Sequence, residues 1–264
     1  MKKLLLMFVA LAILLCGCAG KANKTDWDYI QSKGEIIIGI TYFSPMNYLD
    51  ENGVLTGFET EFAQAVCNEL GIKPIFQEID WSTKEIELAA KNIDAIWNGM
   101  TATPSRAAEM DLSRSYLNNR PVMIVRDDHL ESLRTPDDLR GAIVVAENGS
   151  HADGIIQEDP FFEQATYVAV DTQIKGFMEI AAGTADLTVC DYVMSIGSLG
   201  AGTDFASLVV SPYWDYEPEE YAIAFRKGSP QTLEKVNSVI IKLLENGTLE
   251  RIATKYKLND LLIK

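Results

Sequence analysis

Apolar residues along this chain form short β-branched runs that alternate with stretches of helical spacing. The run at residues 35–40 (EIIIGI) is typical of a buried parallel strand. Residues 58–70 repeat apolar side chains at helical spacing and are followed by a glycine stop. Two more strands are expected at 73–79 and 94–97, with a helix at 84–91 between them. This β-α-β-α-β order predicts a parallel sheet covered by helices.

A second series with the same alternation follows. It predicts strands at 121–126, 142–146, 166–170, 186–190 and 205–210, and helices at 150–157, 173–182 and 192–199. A strand-like run at 221–225 and two helices, ending near 245 and 257, complete the chain. Two α/β units leave a crevice between them, where strand ends and helix starts face a ligand.

Capping signals mark several helix starts. Thr56 and Glu59 fit a capping box, and Ser229 precedes a proline at the first helical position. Thr103 and Pro104 repeat the second pattern directly after the strand at 94–97, which places Arg106 in the first turn of a helix.

The N-terminus carries an export signal. A twelve-residue apolar run follows two lysines; it is too short for a spanning helix but suits a signal peptide. Small Gly17 before Cys18 resembles a lipobox, in which Cys18 is acylated and anchors the protein in the bilayer. An ordinary cleaved signal and a short anchor helix are the alternatives. We therefore expect a signal at 1–17 and a lipidated tether at 18–25.

Charge narrows the function classes. The chain has 38 acidic and 23 basic residues, and removal of residues 1–17 leaves 38 against 21, a net charge of −17. This acidity argues against nucleic-acid binding, since phosphate contacts need Lys and Arg clusters. Two histidines and four cysteines argue against a His- or Cys-rich metal centre, and we expect no metal and no cofactor. Cys67 and Cys190 are expected to be unpaired.

Arg106 is the leading candidate for ligand recognition. A cation in the first helical turn opposes the helix dipole, and a bound carboxylate would resolve that conflict through a bidentate pair. An exposed arginine paired with a nearby acid is the alternative. The segment that leads into this helix contains three further candidates for the same site, Asn98, Gly99 and Thr101.

Three further points face the same crevice. Asp191 follows a strand and is placed to hold an ammonium group, or else to cap the next helix. Glu147 begins a strand-to-helix turn in which the N–H groups of Ser150 and His151 can meet a carboxylate, or Ser150 can simply cap the helix. Two aromatic residues that follow strands are candidates to enclose a side chain, although core packing is their common alternative: Phe43 and Trp81.

Taken in order, these motifs resemble the family 3 solute-binding proteins of polar amino-acid ABC transporters. The matching segments are GEIIIGITYFSPMNYLDENGVLTGFETEFAQAV, IDAIWNGMTATPSRAAEMDLSRSY, AENGSHAD, ADLTVCDYV, YAIAFRKGSP and NGTLERIATKY. The resemblance implies an α/β, two-lobed type II periplasmic-binding-protein fold, with a mostly parallel sheet flanked by helices in each lobe and two crossover segments. It implies a first lobe at 26–116, a second at 121–216 and a return to the first at 221–264.

The resemblance also implies residue roles. Arg106 corresponds to the arginine on the ligand carboxylate, Thr101 and the Gly99 backbone to its neighbours, and Asp191 to the acid on the ammonium. Phe43 and Trp81 correspond to aromatic walls, while Ser150 and His151 stand where backbone amides of the second lobe close on the ligand.

Some positions depart from the family pattern. Ile40 stands where several relatives that bind glutamine or basic amino acids have Asp, which weakens the case for a basic ligand. Glu147 stands where glutamine-binding relatives place lysine and others often glutamine. Cys190 replaces a residue that often touches the ligand side chain. A polar, uncharged amino acid is therefore the expected ligand.

The expected function is the binding component of an ABC importer. It would be a monomer anchored at the outer face of the cell membrane, closing on an amino acid and passing it to permease subunits. A sensor working with a membrane partner and a dehydratase on the same fold are the alternatives. A zwitterion suits one cation and one anion, whereas a dicarboxylate substrate would prefer a second cation.

Overall fold

A computed structural model describes residues 25–264, so the expected signal and Cys18 lie outside the described residues. The α-helices of these residues are α1 Asp26–Lys33, α2 Phe58–Leu70, α3 Lys84–Ala89, α4 Pro104–Glu109, α5 His151–Glu158, α6 Gln173–Ala182, α7 Tyr192–Ser198, α8 Pro230–Glu245 and α9 Thr248–Lys255. Short 3₁₀ turns, among them Trp81–Thr83, lie between them.

Fourteen strands occur in this part of the chain. They are β1 Glu35–Ile40, β2 Tyr48–Leu49, β3 Leu55–Thr56, β4 Lys73–Glu78, β5 Ala95–Ile96, β6 Met110–Leu112, β7 Leu117–Asn119, β8 Pro121–Arg126, β9 Ile143–Glu147, β10 Thr166–Val170, β11 Leu187–Asp191, β12 Leu208–Val210, β13 Glu219–Tyr221 and β14 Ala224–Arg226. β2 and β3 form a small hairpin.

Two five-stranded sheets share one design. The first, in the order β4-β1-β5-β14-β6, belongs to the first lobe, and the second, in the order β10-β9-β11-β8-β12, to the second lobe. In each sheet three strands are parallel and the last two join antiparallel. The two-lobed α/β fold expected from the sequence is thereby confirmed. Four of the five strands in each sheet run in the same direction, and only β14 and β8 run opposite to their neighbours.

The chain crosses between the sheets twice. Strands β7 and β13 lie on these crossings and pair antiparallel, with Leu117 opposite Tyr221 and Asn119 opposite Glu219. This pairing holds the two crossings side by side, and it brings two polar side chains to the space between the lobes.

Aromatic packing forms the core of each lobe. In the first lobe the Phe62 ring meets Trp97 edge-on at 4.9 Å between centroids and Tyr116 at 5.3 Å. In the second, Phe162 meets Trp214 at 5.3 Å. Such edge-to-face pairs add about 1 kcal/mol beyond the area they bury.

The expected capping box of α2 is wrong. Gly57, not Thr56, precedes α2, and no side chain caps that helix. The Thr56 hydroxyl instead lies 3.0 Å from the Tyr256 hydroxyl, while Glu59 turns inward and is fully buried. Distant partners outweigh the local hydrogen bond there. Ser229 precedes a proline at the start of α8 as expected, but its buried hydroxyl makes no capping hydrogen bond and has no other partner.

Cys67 and Cys190 are free and buried. No helix within residues 25–264 has the length and apolar character needed to cross a bilayer.

Candidate functional site

A largely enclosed cavity lies between the lobes. All ten residues singled out from the sequence line it: Phe43, Trp81, Asn98, Gly99, Thr101, Arg106, Glu147, Ser150, His151 and Asp191. Five other residues share the lining: Pro121, Ala152, Gln173, Cys190 and Glu219.

The first corner of the cavity is cationic. Thr103 caps α4 as expected, and its hydroxyl oxygen accepts from the Arg106 N–H at 3.2 Å. The Arg106 guanidinium donates to the Thr101 carbonyl at 3.0 Å and, across the cleft, to the Gly149 carbonyl at 3.5 Å. Burial lowers the pKa of Arg106, which nonetheless stays charged at neutral pH. A guanidinium has five donors, so this one retains hydrogen atoms for a ligand carboxylate.

The start of α5 closes over the same corner. The Ser150 hydroxyl caps the helix, accepting from the Asp153 N–H at 3.1 Å. The Ser150 N–H donates to the Glu147 carbonyl at 3.0 Å, so this amide is used within the turn. The N–H of His151 begins the helix and needs no intrahelical partner, so it is the amide of this pair that can meet a carboxylate.

The second corner is acidic. One amide group, Nδ2 of Asn119, donates to Asp191 at 2.6 Å and to Glu219 at 2.6 Å. Gln173 also bonds the Asp191 carboxylate, and Asp191 makes no side-chain cap to α7. Burial, and then repulsion from Glu219, raise the pKa of Asp191 to about 7. The neighbouring carboxylates thus create a strong site for a ligand ammonium group.

Glu219 joins the lobes at this corner. Its carboxylate accepts from the Thr101 hydroxyl at 3.0 Å and lies against Nδ1 of His151. Burial raises the pKa of Glu219, but the hydrogen bonds from His151, Asn119 and Thr101 outweigh that effect. The pKa of Glu219 therefore lies below its usual value. The His151 side chain therefore engages Glu219 in this arrangement rather than pointing freely at a ligand.

Buried polar contacts support the segment that carries these groups. The Asn98 amide is bonded to Thr41 and Asn47, including 3.0 Å to the Thr41 N–H, so it holds the backbone rather than offering a free side chain. The Gly99 N–H donates to both Glu59 oxygens at 3.0 Å, which leaves its carbonyl to accept from an ammonium group.

Gly99 must be glycine. Its φ is +57°, and a Cβ there would lie 2.6 Å from the Phe43 ring. Contact with Phe43 and a left-handed backbone both exclude a side chain at this point.

The third corner is walled by aromatic rings. Phe43 and Trp81 are 3% and 4% exposed, and the Lys84 ammonium lies 4.9 Å from the Trp81 ring centre. Glu147 faces this corner, and burial together with the charge of Asp191 raises its pKa to about 8. Cys190 lines the cavity too; burial raises its pKa, so the thiol stays protonated.

Sequence reasoning missed Asn119, Gln173 and Glu219. Gln173 directly follows the Thr172 cap at the end of β10, the same strand-end position that singled out Asp191. Asn119 lies within the segment expected to cross between lobes, and Glu219 within the other. Their position on the two crossovers was the available signal.

Ligand binding at Asp191 should depend on pH. A ligand ammonium favours ionised Asp191, whose pKa is about 7 in the empty site, so below pH 7 binding must expel a proton. Affinity for a zwitterion is expected to fall by up to about tenfold per unit as the pH drops from 7 to 5. Titration calorimetry across pH 5–8 measures this.

A matched control is Asp137→Asn, at an exposed carboxylate of the second lobe, which should keep the profile. In Asp191→Asn, the affinity that remains should no longer depend on pH. An unchanged affinity from pH 7 to pH 5 in the parent protein would contradict the role assigned to Asp191.

Relatives of this chain are bacterial binding proteins. The L-cystine-binding protein TcyJ of Escherichia coli is 24% identical over 95% of this chain and 94% of its own. The arginine-binding extracellular protein ArtP of Bacillus subtilis is 27% identical over 97% and 98%. Both alignments run through nearly the whole of each protein.

Solved structures agree. An ABC uptake transporter substrate-binding protein from Streptococcus pneumoniae with bound histidine superposes with a TM-score of 0.82 at 26% identity, covering 91% of this chain and 99% of that one. An ancestral amino-acid-binding protein, a precursor of cyclohexadienyl dehydratase, gives 0.78 at 27% identity over 87% and 98%. The model of the bacterial extracellular solute-binding proteins, family 3, matches residues 36–259. The chain therefore belongs to family 3 of the bacterial extracellular solute-binding proteins.

Proposed function

We propose that this protein binds a free amino acid between its two lobes and delivers it to the permease of an ABC importer. The observation that carries this proposal is the placement of Arg106 and Asp191 at two corners of one enclosed cavity. A guanidinium for an α-carboxylate and a carboxylate for an α-ammonium together select a zwitterion. Relatives that bind cystine, arginine and histidine support the amino-acid class.

Binding is proposed to close the lobes on the ligand. The lobes touch in this structure: the Lys84 ammonium of the first lobe donates to the Gly149 carbonyl of the second at 2.9 Å. Gly197 of α7 lies against the Ser44–Pro45 backbone of the first lobe. A ligand that contacts both lobes favours this closed form by its differential affinity for it.

The ligand is proposed to carry a polar, uncharged side chain. Once Arg106 and Asp191 face the ligand's own charges, Glu219 has His151 as its partner, and Glu147 lies in the field of Lys84. No unpaired charge is left among these groups for a charged side chain. The relatives' ligands differ from one another, so this assignment rests on the residues of this cavity.

The protein is proposed to bind without converting its ligand. The ancestral neighbour shows that this fold has served as the precursor of a dehydratase. Here Arg106 and Asp191, in the first two corners, match the two charges of a zwitterion. The other contacts of Asp191 and Glu219 are structural hydrogen bonds. Mass spectrometry of a bound amino acid should recover it unchanged.

The protein is also proposed to be anchored at the cell surface. The lobes are taken as residues 26–116 with 221–264, and 121–216, in a monomer held by diacylated Cys18 at the outer face of the cell membrane. Eight residues from Ala19 to Asp26 span at most about 28 Å, which keeps the body close to the permease.

Cys18→Ser tests the anchor. Without the thiol no diacylglyceryl group can attach, so the protein should leave the membrane fraction and lose its lipid mass. Fractionation and intact-mass analysis measure both, with Cys67→Ser as the cysteine control. Membrane association and lipid mass that survive Cys18→Ser would refute the anchor.

A thermal-shift panel over the twenty amino acids and cystine tests the function itself. A ligand at 100 times its Kd stabilises the folded protein by about 2.7 kcal/mol. We expect one amino acid or a small group to raise Tm by several degrees. No shift with any of them at millimolar concentration would reject amino-acid binding.

A further inference from the structure

The third corner of the cavity combines two hydrogen-bonding side chains with apolar walls. Glu147 ends β9, and Gln173 begins α6 next to it. Both line the cavity, together with the Trp81 ring and Cys190. Glu147 is only 4% exposed, so its carboxyl group faces the cavity rather than bulk solvent.

Gln173 connects this corner to the ammonium site. Its side-chain oxygen accepts from the Asp191 N–H at 3.2 Å, and its amide nitrogen donates to the Asp191 carboxylate. Gln173 also bonds Glu147. Both hydrogens of its NH₂ group are thus engaged, one by Asp191 and one by Glu147, and Gln173 holds the Glu147 carboxyl group in place.

Positive charge is already present beside Glu147. Lys84 is buried, donates to the carbonyls of Trp81 and Gly149 at 3.1 and 2.9 Å, and pairs with Glu85 at 3.0 Å. Burial, and then repulsion from Arg106, lower the pKa of Lys84. A cationic ligand side chain in this corner would add a third positive charge, whereas an anionic one would face Glu147.

We propose that Glu147 and Gln173 form the side-chain subsite and that it selects an amino acid ending in an uncharged amide, a carboxamide or ureido group. The ligand's amide NH₂ donates to Glu147, which Gln173 positions, and the Phe43 and Trp81 rings enclose the methylene stem. This inference rests on the proposed function, because it assumes that the α-carboxylate and α-ammonium occupy the other two corners.

Selectivity measured by titration calorimetry tests the subsite. The ligands are glutamine and citrulline, with methionine as an analogue that lacks the amide, and arginine and glutamate as charged analogues. The parent protein should bind glutamine or citrulline at least tenfold more tightly than the other three. A site built around a buried hydrogen bond rejects an analogue that lacks it, since its own groups are left unpaired.

Glu147→Leu should lower the ratio of glutamine to methionine affinity at least tenfold, while Glu163→Leu, at an exposed carboxylate of the same lobe, should leave that ratio unchanged. Gln173→Leu provides the same readout if Glu147→Leu does not fold. Tighter binding of arginine or glutamate, or a ratio that survives both substitutions, overturns the subsite. If no amino acid binds the parent protein, the proposed function itself fails.

Discussion

Replacing Arg106 with alanine is expected to weaken amino-acid binding by about 30-fold or more. The ligand carboxylate would remain buried with no cation to balance it, and truncating one partner of such a pair costs about 2–5 kcal/mol. The first-turn N–H groups of α5 are the donors that would remain there. The Thr103 cap of α4 is independent of the guanidinium, so the helix should persist. Calorimetry with the amino acid found in the thermal-shift panel measures the loss.

Arg140→Ala is the matched control. Arg140 lies on the surface, its side chain is 69% exposed, and it pairs only loosely with Asp137 at 3.5 Å. Its removal should leave affinity and Tm essentially unchanged. If Arg106→Ala retained the parent protein's affinity while remaining folded, the carboxylate corner would have to lie elsewhere.

Substituting Gly197 by alanine is expected to oppose closure without harming either lobe. A Cβ at this position would lie 2.8 Å from the Pro45 nitrogen and 2.9 Å from the Ser44 carbonyl carbon, both backbone atoms that cannot turn away. Overpacking of this kind costs about 1–3 kcal/mol, which corresponds to a loss of about 5- to 150-fold in affinity. Within a helix alanine is favoured over glycine, so the ligand-free Tm should not fall.

Gly154→Ala separates this contact from a general effect of the substitution. Gly154 lies in α5 of the same lobe, and a Cβ there would meet nothing within 4 Å. The Gly154→Ala variant should bind the amino acid with the parent protein's affinity. Small-angle scattering should show compaction on adding ligand for the parent and Gly154→Ala, and less for Gly197→Ala. Equal affinity in all three would mean that closure does not bring α7 onto the Ser44–Pro45 segment.

Much of the fold could be predicted because the local pattern and the tertiary structure agree. The runs at β8 and β10 and the helix α6 have the expected bounds, since each combines strong periodicity with clear stops. Glu59 shows where local reasoning ends. Its spacing from Thr56 fitted a cap, yet it is drawn inward by the Gly99 N–H and the Tyr116 hydroxyl, which lie far away in sequence.

The site could be located for a similar reason. The ends of parallel strands meet at one edge of a sheet, so Asp191 and Glu147 were placed near one another by strand order alone. Asn119 and Glu219 could not be placed in this way. Glu219 reaches the cavity, and Asn119 bonds it there, because β7 pairs with β13 across about 100 residues of chain, and no local pattern encodes that pairing.

The central assignment is that Arg106 and Asp191 hold the two charges of one amino acid. Titration calorimetry with the cognate amino acid, its Nα-acetyl derivative and its α-carboxamide tests this directly. One free amino acid should bind per chain. Each derivative has lost one of the two charges and should bind about 30-fold more weakly or worse, in line with the cost of leaving a buried charge unpaired. Binding of either derivative with the affinity of the free amino acid would contradict it.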